Sequence, residues 1–369
     1  MKIIFFASDL RDYRVPLFNS LAQDYDLKVF FNSPLSEEVS SKLDFAFETA
    51  RGYQNNSVFP VLKDSASYLL KNRKDLNIVI LAPAFSVKSL LLLIISKLLR
   101  KKVILWLEIW HLNSTAIKGR IKSILIKLQI KLANAFVVHG KASFEFCQKL
   151  NISSERIFVA PQCSLDYSKF KSHFSGEDFH LEDKKIILYL SRIIDWKGLD
   201  FLIKAFHKIE RQLNDVFLLI AGNGDFRLQN EGLAKRLKIR NIKFLGEIQR
   251  REEVAHLYRI CDVFVLPSCF RKSYEGWGLV INEAMSMGKP IITTDAVGAA
   301  KDLVKNGKNG YVVKNASADE LYKASYKILT DDFLREEMGK NARKIFDRFN
   351  DYEKMFEGFK KAIEFTRLS

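Results

Sequence analysis

The residues of this chain best suited to chemistry lie between Tyr274 and Pro290, in YEGWGLVINEAMSMGKP. Glu275 and Glu283 are eight residues apart, Gly276 and Gly278 precede the apolar run LVINEAMSM, and Gly288 and Pro290 close it. A glycine cap with proline just beyond it ends a helix. Glu275 is then expected in a glycine loop at a helix start, and Glu283 about one turn inside. Backbone N–H groups at such a start attract an anion. Two carboxylates facing one ligand suit hydroxyl-rich groups, one taking a sugar and the other a ribose. The window on its own also fits a solvated Glu283 and glycines that only punctuate turns.

Two further windows carry charge or glycine in the right places. In LYLSRIIDWKG, an apolar strand ends at Leu190, and Arg192 and Lys197 follow in the loop beyond it. A guanidinium fork and an ammonium point charge together suit a diphosphate. A plain basic loop before a helix is the other reading of this window alone. In LIAGNGD a strand runs into Gly222 and Gly224. This is a GxG and not a full GxGxxG, so a nicotinamide cofactor is not supported.

These windows need a scaffold of strands that end in loops, and the chain supplies one. It has 369 residues, 48% hydrophobic and 28% charged, enough for about two globular domains. Strand-like runs are expected at Lys2–Ala7, 27–31, 77–81, Lys102–Leu107, 135–139 and 157–160. A second series follows at Lys185–Leu190, Val216–Ala221, 242–245, Val263–Leu266, 290–293 and Gly310–Val313. Amphipathic stretches at 199–213, 252–261 and Ala318–Leu329 lie between them. Strand and helix in alternation mean parallel sheets covered on both faces. The polar, doubly charged stretch 167–184 separates the two series. The expectation is therefore an α/β chain of two doubly wound, Rossmann-like domains facing a central cleft, with ligands beyond the carboxyl ends of the strands. The domains are placed at 1–170 and 184–345, and a long polar helix over 333–365 is expected to end in a segment, 346–369, that folds back on the first domain.

Charge and cysteines exclude other classes. There are 59 basic against 43 acidic residues, a net charge of +16. The surplus is local: residues 71–141 hold 14 basic residues and only Asp75 and Glu108 as acids. Cys147, Cys163, Cys261 and Cys269 show no metal-binding spacing and read as reduced thiols of a cytoplasmic protein. MKIIFFAS is followed at once by Asp9, Arg11 and Asp12, which suits a first strand better than a secretory signal. The apolar run 90–95 is too short to span a bilayer, which takes roughly 20 residues. No stacking platform for nucleic acid is evident. Asp24, Tyr25 and Asp26 form a D-x-D that precedes a strand, and it is taken as chance.

The three windows occur in one order with other segments: LSRIIDWKGLDFLIKAF, LLIAGNGDF, IKFLGEI, CDVFVLPS, EGWGLVINEAMSMGKPIITTDAVG and NGKNGYVV. Together they resemble the C-terminal half of the retaining GT-B glycosyltransferases of the glycosyltransferase 4 group. The likeness is dense over 185–315 and extends more weakly to 11–22 and 135–166. It implies a nucleotide-diphosphate sugar as substrate, UDP-sugar favoured over GDP-sugar, with no cofactor and no obligatory metal. The E-x7-E pair falls on Glu275 and Glu283, and the diphosphate-binding cations on Arg192 and Lys197. The donor-contacting set is then Arg192, Lys197, Gly222, Gly224, Glu275, Gly276, Trp277, Gly278, Leu279 and Glu283, with Glu275 on the sugar and Glu283 on the ribose. Retention by front-face attack would need no protein nucleophile.

The chain also departs from that family. Many relatives have a Gly-Gly turn after the first strand, where this chain reads SDLRDYRV; Arg14 is either a substitute cation on the acceptor side or a surface arginine. GG-x-P-E is replaced by DAVGAAKDLV, in which Asp302 stands as the counterpart of the acid or simply as a helix-start residue. On the acceptor side, WLEIWH lies where relatives often place a cleft histidine, so Glu108 and His111 are candidates for the acceptor hydroxyl, His111 as the one to take its proton; His111 equally fits a hydrogen-bonded histidine beside Trp110. His139, at a strand end, is read as structural.

The basic segment completes the expectation. IKGRIKSILIKLQIKL reads as a helix with Lys or Arg at 118, 120, 122, 127 and 131. Residues 90–131 are expected to meet an anionic membrane surface, the other reading being an ordinary domain helix with a solvated basic face. The chain is thus read as a cytoplasmic enzyme, peripheral on the inner face of the plasma membrane, acting on a lipid-linked or surface-glycan acceptor in bacterial polysaccharide or lipopolysaccharide synthesis. The alternatives are a soluble glycosyltransferase on a polysaccharide or small metabolite, a sugar-nucleotide epimerase on the same fold, and a non-catalytic basic scaffold.

Overall fold

A computed structural model describes residues 1–50, 58–111, 117–171, 181, 183–271 and 273–369. It divides into two compact units, Met1–Cys163 with Asp351–Ser369, and Ser164–Asn350. The boundary thus lies just before the stretch 167–184, much of which is outside the described residues.

The first unit holds seven strands: β1 (Lys2–Ala7), β2 (Asp26–Phe31), β3 (Ala46–Thr49), β4 (Leu76–Leu81), β5 (Lys102–Leu107), β6 (Ala135–Val138) and β7 (Ile157–Val159). Their order is β3-β2-β1-β4-β5-β6-β7, and every neighbouring pair is parallel. The period of two divides each strand between two cores. Ile3 and Phe5 pack on one face with Ile104 and Trp106, while Ile4 and Phe6 pack on the other with Val103 and Leu105. Burial on both faces explains why β1 and β5 read as almost unbroken apolar runs.

The second unit holds β8 (Lys185–Leu190), β9 (Val216–Ala221), β10 (Ile242–Gly246), β11 (Val263–Leu266), β12 (Ile291–Thr294) and β13 (Gly310–Val313), in the order β10-β9-β8-β11-β12-β13. These pairs are parallel too. Strand order reverses between β1 and β4 in the first unit and between β8 and β11 in the second. Loops leaving the two strands at such a switch diverge and open a crevice at the carboxyl edge.

Two expectations needed correction. Strand β3 was not anticipated, because AFET is short and half exposed and lacks a buried apolar run. The single helix expected over 333–365 is two helices, Asp332–Phe349 and Tyr352–Leu368. Asn350 leaves helical geometry and its side-chain amide exchanges two hydrogen bonds with the backbone of Ser164. Asp351 then caps the next helix, accepting from the N–H groups of Glu353 and Lys354. The last helix lies on the first unit, where Met355, Phe359, Ala362 and Ile363 are buried with Phe5 and Trp106.

Candidate functional site

In the second unit, the loops at the switch point carry the residues singled out in the sequence. The chain leaves β8 through Ser191 and Arg192, and the fully buried Tyr189 donates its hydroxyl to the Arg192 carbonyl at 2.8 Å. The Arg192 side chain is exposed. A 3-10 turn, Asp195–Lys197, follows, and Gly198 exits it at φ +68°. A Cβ on Gly198 would stand 2.1 Å from the Pro267 carbonyl oxygen, so the loops after β8 and β11 meet backbone to backbone. Cys269 N–H donates to the Trp196 carbonyl at 2.8 Å and seals that contact. Arg271 adds hydrogen bonds to the Asp195 carboxylate at 2.8 Å and the Asp200 carboxylate at 2.9 Å.

This junction sets Lys197, only 6% exposed, against Glu275. Its ammonium pairs with Glu275 Oε2, which also accepts from Ser268 Oγ at 3.2 Å. The backbone of Glu275 bridges to Val297, and its carbonyl accepts from Gly298 N–H at 3.1 Å. Three loops, those after β8, β11 and β12, therefore hold one carboxylate. Gly278, at φ +96°, turns the chain into the helix Val280–Ser286.

Glu283 lies in that helix, about one turn in. Its carboxylate does not share partners with Glu275: Oε2 accepts from the Tyr258 hydroxyl at 2.9 Å. Burial pushes the Glu283 carboxyl up to about 7, against the Tyr258 hydrogen bond, which lowers it. Trp277, expected at the ligand, is 8% exposed, donates Nε1–H to Asn282 Oδ1 at 2.9 Å and stacks on Phe349 at 5.7 Å. Its side chain is committed to the core, and its carbonyl accepts from Ala299 N–H at 2.9 Å. Leu279 is half-buried against the same core. Asp302, in the helix Ala300–Leu303, sits in the second unit as its first-turn acid.

Gly222 and Gly224 sit where the loop after β9 crosses the loop after β8. A Cβ on Gly222 would lie 1.9 Å from the Ser191 carbonyl oxygen, and one on Gly224 2.4 Å from that of Ile193. The crossing shapes a cavity of about 420 Å³ lined by Ser191, Arg192, the GNG turn, Glu247 and Ile248. Sequence reasoning did not single out Glu247 and Ile248. Their signal was the segment IKFLGEI, which ends in these two residues just after β10.

The first unit builds a separate polar cluster at the carboxyl ends of β1, β5 and β6. Arg14 is 7% exposed, stacks on the buried Trp106 ring at 4.7 Å and pairs with Glu108 Oε1. His139, 2% exposed, places Nε2 3.8 Å from the same oxygen. Burial would raise the Glu108 carboxyl, but Arg14 and His139 outweigh it and hold it down at about 2. Such a carboxylate accepts hydrogen bonds and stays ionised, so it is a poor proton acceptor. The Nε of Arg14 and Nε1 of Trp106 are buried and have no hydrogen-bond partner among the described residues. His111 is half-buried beside Trp110, with ring centroids 6.2 Å apart.

Comparison with known proteins places this geometry. Residues 172–345 match the family model described as Glycosyl transferases group 1. The chain is 29% identical over 217 residues to the alpha-D-kanosaminyltransferase of Streptomyces kanamyceticus, covering 58% of this chain and 55% of that one. It is 27% identical over 228 residues to the N,N'-diacetylbacillosaminyl-diphospho-undecaprenol alpha-1,3-N-acetylgalactosaminyltransferase of Campylobacter jejuni, covering 59% and 57%. The chain thus spans a little over half the length of these curated relatives. Among solved structures, Anabaena HepE in complex with UDP superposes with a TM-score of 0.76 at 19% identity, over 99% of this chain and 100% of that one. The chain therefore has the GT-B fold of two parallel-sheet Rossmann-like domains, and its residues 172–345 match the Glycosyl transferases group 1 family.

Proposed function

We propose that this protein is a retaining glycosyltransferase of the glycosyltransferase 4 group. It moves a sugar from a nucleotide-diphosphate sugar to a lipid-linked or surface-glycan acceptor. The observation that carries the reading is the convergence of Lys197, Ser268 and Glu275 at the switch point of the second sheet. A parallel sheet binds its ligand at that edge, and there one buried cation and one carboxylate stand together with Arg192 exposed nearby. The diphosphate takes Arg192 and Lys197, whose charge stabilises the departing nucleotide as the glycosidic bond to it breaks. Glu275 accepts hydroxyls of the donor sugar and Glu283 those of the ribose. The 420 Å³ cavity beside Arg192 and the GNG turn receives the base. UDP is favoured, since the similar Anabaena protein holds it.

The first unit is the acceptor side in this reading. Arg14 supplies positive charge, Glu108 holds Arg14 in place, and His111 takes the proton from the acceptor hydroxyl. The two cations of the second unit supply the countercharge, so the reaction needs no metal. The test is a thermal-shift series with UDP, GDP and their sugars, repeated in EDTA. Binding stabilises by RT ln(1 + [L]/Kd), roughly 2.7 kcal/mol at about 100 Kd. A shift for UDP that survives EDTA is expected. Absence of a shift with every nucleotide would overturn the assignment in favour of a non-catalytic protein.

The enzyme works at the inner face of the plasma membrane in this proposal. None of the described helices is long and apolar enough to cross a bilayer. Helices Val87–Leu98 and Ile117–Leu132 pack side by side, and Leu92, Leu93 and Ile126 face a common core. Their opposite faces expose Val87, Leu91 and Leu98 on one and Ile124 and Leu128 on the other. Lys127 and Lys131 are exposed beside the latter pair; the side chains of Lys118, Arg120 and Lys122 lie outside the described residues. Apolar side chains in a field nearly free of acids suit an anionic bilayer. Vesicles containing phosphatidylglycerol should float the protein at low salt and release it as salt rises. The Leu91→Ser, Leu98→Ser double variant should lose most of that binding while keeping its melting temperature. Equal flotation by variant and wild type would remove this face from consideration.

A further inference from the structure

The two carboxylates of the second unit are supported in different ways. Glu275 faces a cation, whereas among the described residues Glu283 has no ion-pair partner and takes its hydrogen bond from one neutral donor. Tyr258 supplies it from the helix Arg251–Ile260. Its ring is wholly enclosed, edge-on to Phe264 at 5.7 Å and to Tyr167 at 5.6 Å, so the hydroxyl has little room to move. The hydroxyl lies 2.9 Å from Glu283 Oε2 and 3.4 Å from the Val280 carbonyl oxygen, so its proton goes to the carboxylate. A phenylalanine would fill the same space. The hydroxyl is therefore surplus to packing, and a buried polar group persists where it has a partner to serve.

We propose that Tyr258 is a positioning residue for the nucleotide site: its hydroxyl fixes the Glu283 carboxylate, in its ionised form, to accept the vicinal hydroxyls of the donor's ribose. This rests on reading the second unit as a nucleotide-sugar site and deepens it. Both hydroxyls of a ribose must be met at once, so a carboxylate free to rotate loses part of the contact. A phenol donor also favours the charged carboxylate over the neutral acid. Among the described residues the titratable groups acting on Glu283 are Tyr258 and Tyr167, both neutral in the working range, and neither provides a positive charge.

The experiment is titration of UDP and GDP by calorimetry between pH 6 and pH 9, on wild type, Tyr258→Phe, Glu283→Gln and the double variant. Wild-type binding should weaken as pH falls and Glu283 gains a proton. Tyr258→Phe should weaken binding about tenfold near pH 7, the worth of one hydrogen bond to a charged group. Its acid limb should move to higher pH, because the hydrogen bond that favoured ionisation is gone. In the Glu283→Gln background the same change should cost nothing further, which separates positioning from a general loss of structure. A Tyr258→Phe protein with wild-type affinity and an unmoved acid limb overturns the proposal, as does an equal loss in the Glu283→Gln background. If wild type binds no nucleoside diphosphate, the nucleotide-sugar reading itself fails and takes this one with it.

Discussion

Replacing Lys197 by alanine is expected to lower the transfer rate by about a thousandfold, the upper range for removing one group that stabilises developing negative charge. The change also leaves a carboxylate behind. The side chains of Lys197 and Glu275 are 8% and 13% exposed, so Glu275 would remain almost enclosed without its cation. Breaking a buried pair on one side costs about 3–5 kcal/mol; the residual exposure puts this case at the low end, about 3 kcal/mol. Loss of stability and loss of rate are thus confounded in the single variant. The pair Lys197→Met with Glu275→Gln separates them. Without net charge in the pocket the double variant should regain most of the melting temperature, and it should remain inactive. Thermal unfolding alongside nucleotide binding checks both arms. A folded Lys197→Ala protein that binds and turns over donor like wild type would remove Lys197 from the proposed diphosphate site.

Gly222→Ala should be the most damaging single methyl in the second unit's site. At φ +140° an alanine is strained, and its Cβ would meet the Ser191 carbonyl oxygen at 1.9 Å. That atom belongs to backbone, which cannot swing aside as a flexible side chain would. Ser191 N–H is also bonded to the Ala221 carbonyl at 3.1 Å, so the two loops cannot separate without losing that bond. Together the strain and the clash should cost at least about 3 kcal/mol, a fall in melting temperature of roughly 6–12 °C. Nucleotide binding should fall with it, since the crossing shapes the cavity beside Arg192. Gly307→Ala is the control. Gly307 has φ +74°, but nothing lies within 4 Å of where the new methyl would stand, so only conformational strain of about 1 kcal/mol is expected. Equal effects of the two substitutions would mean that the glycine pair serves only local turn geometry.

Much of this fold is visible in local pattern. Strands Lys2–Ala7, Lys102–Leu107, Lys185–Leu190, Val216–Ala221, Val263–Leu266 and Gly310–Val313 have the ends that their apolar runs suggest. Five of these are buried almost throughout and therefore apolar along most of their length, which writes their limits in composition; β13 is a half-buried edge that still carries the apolar run YVV. Strand β3 escapes for the converse reason: it is a half-exposed edge, and AFET has no continuous apolar signal. The split of the last helix escapes because Asn350 stops it through a partner at Ser164, far away in sequence.

The sequence by itself determined the alternation of strand and helix, the glycines that loops require, and the positions of Arg192, Lys197, Glu275 and Glu283 beyond strand ends or within a helix start. Each follows from a run of neighbouring residues obeying local rules. Only the tertiary structure decided which side chains meet. It paired Lys197 and Ser268 with Glu275 but gave Glu283 to Tyr258, and it turned Trp277 inward onto Asn282 and Phe349. It also gathered Arg14, Glu108 and His139 from three strand ends into one cluster. Those meetings depend on which strands a crossover makes adjacent, and β1 lies beside β4, as β8 lies beside β11, only because the sheet order reverses there. Spacing along a chain carries no record of that adjacency, so the partners of a charged side chain appear only once the sheet is assembled.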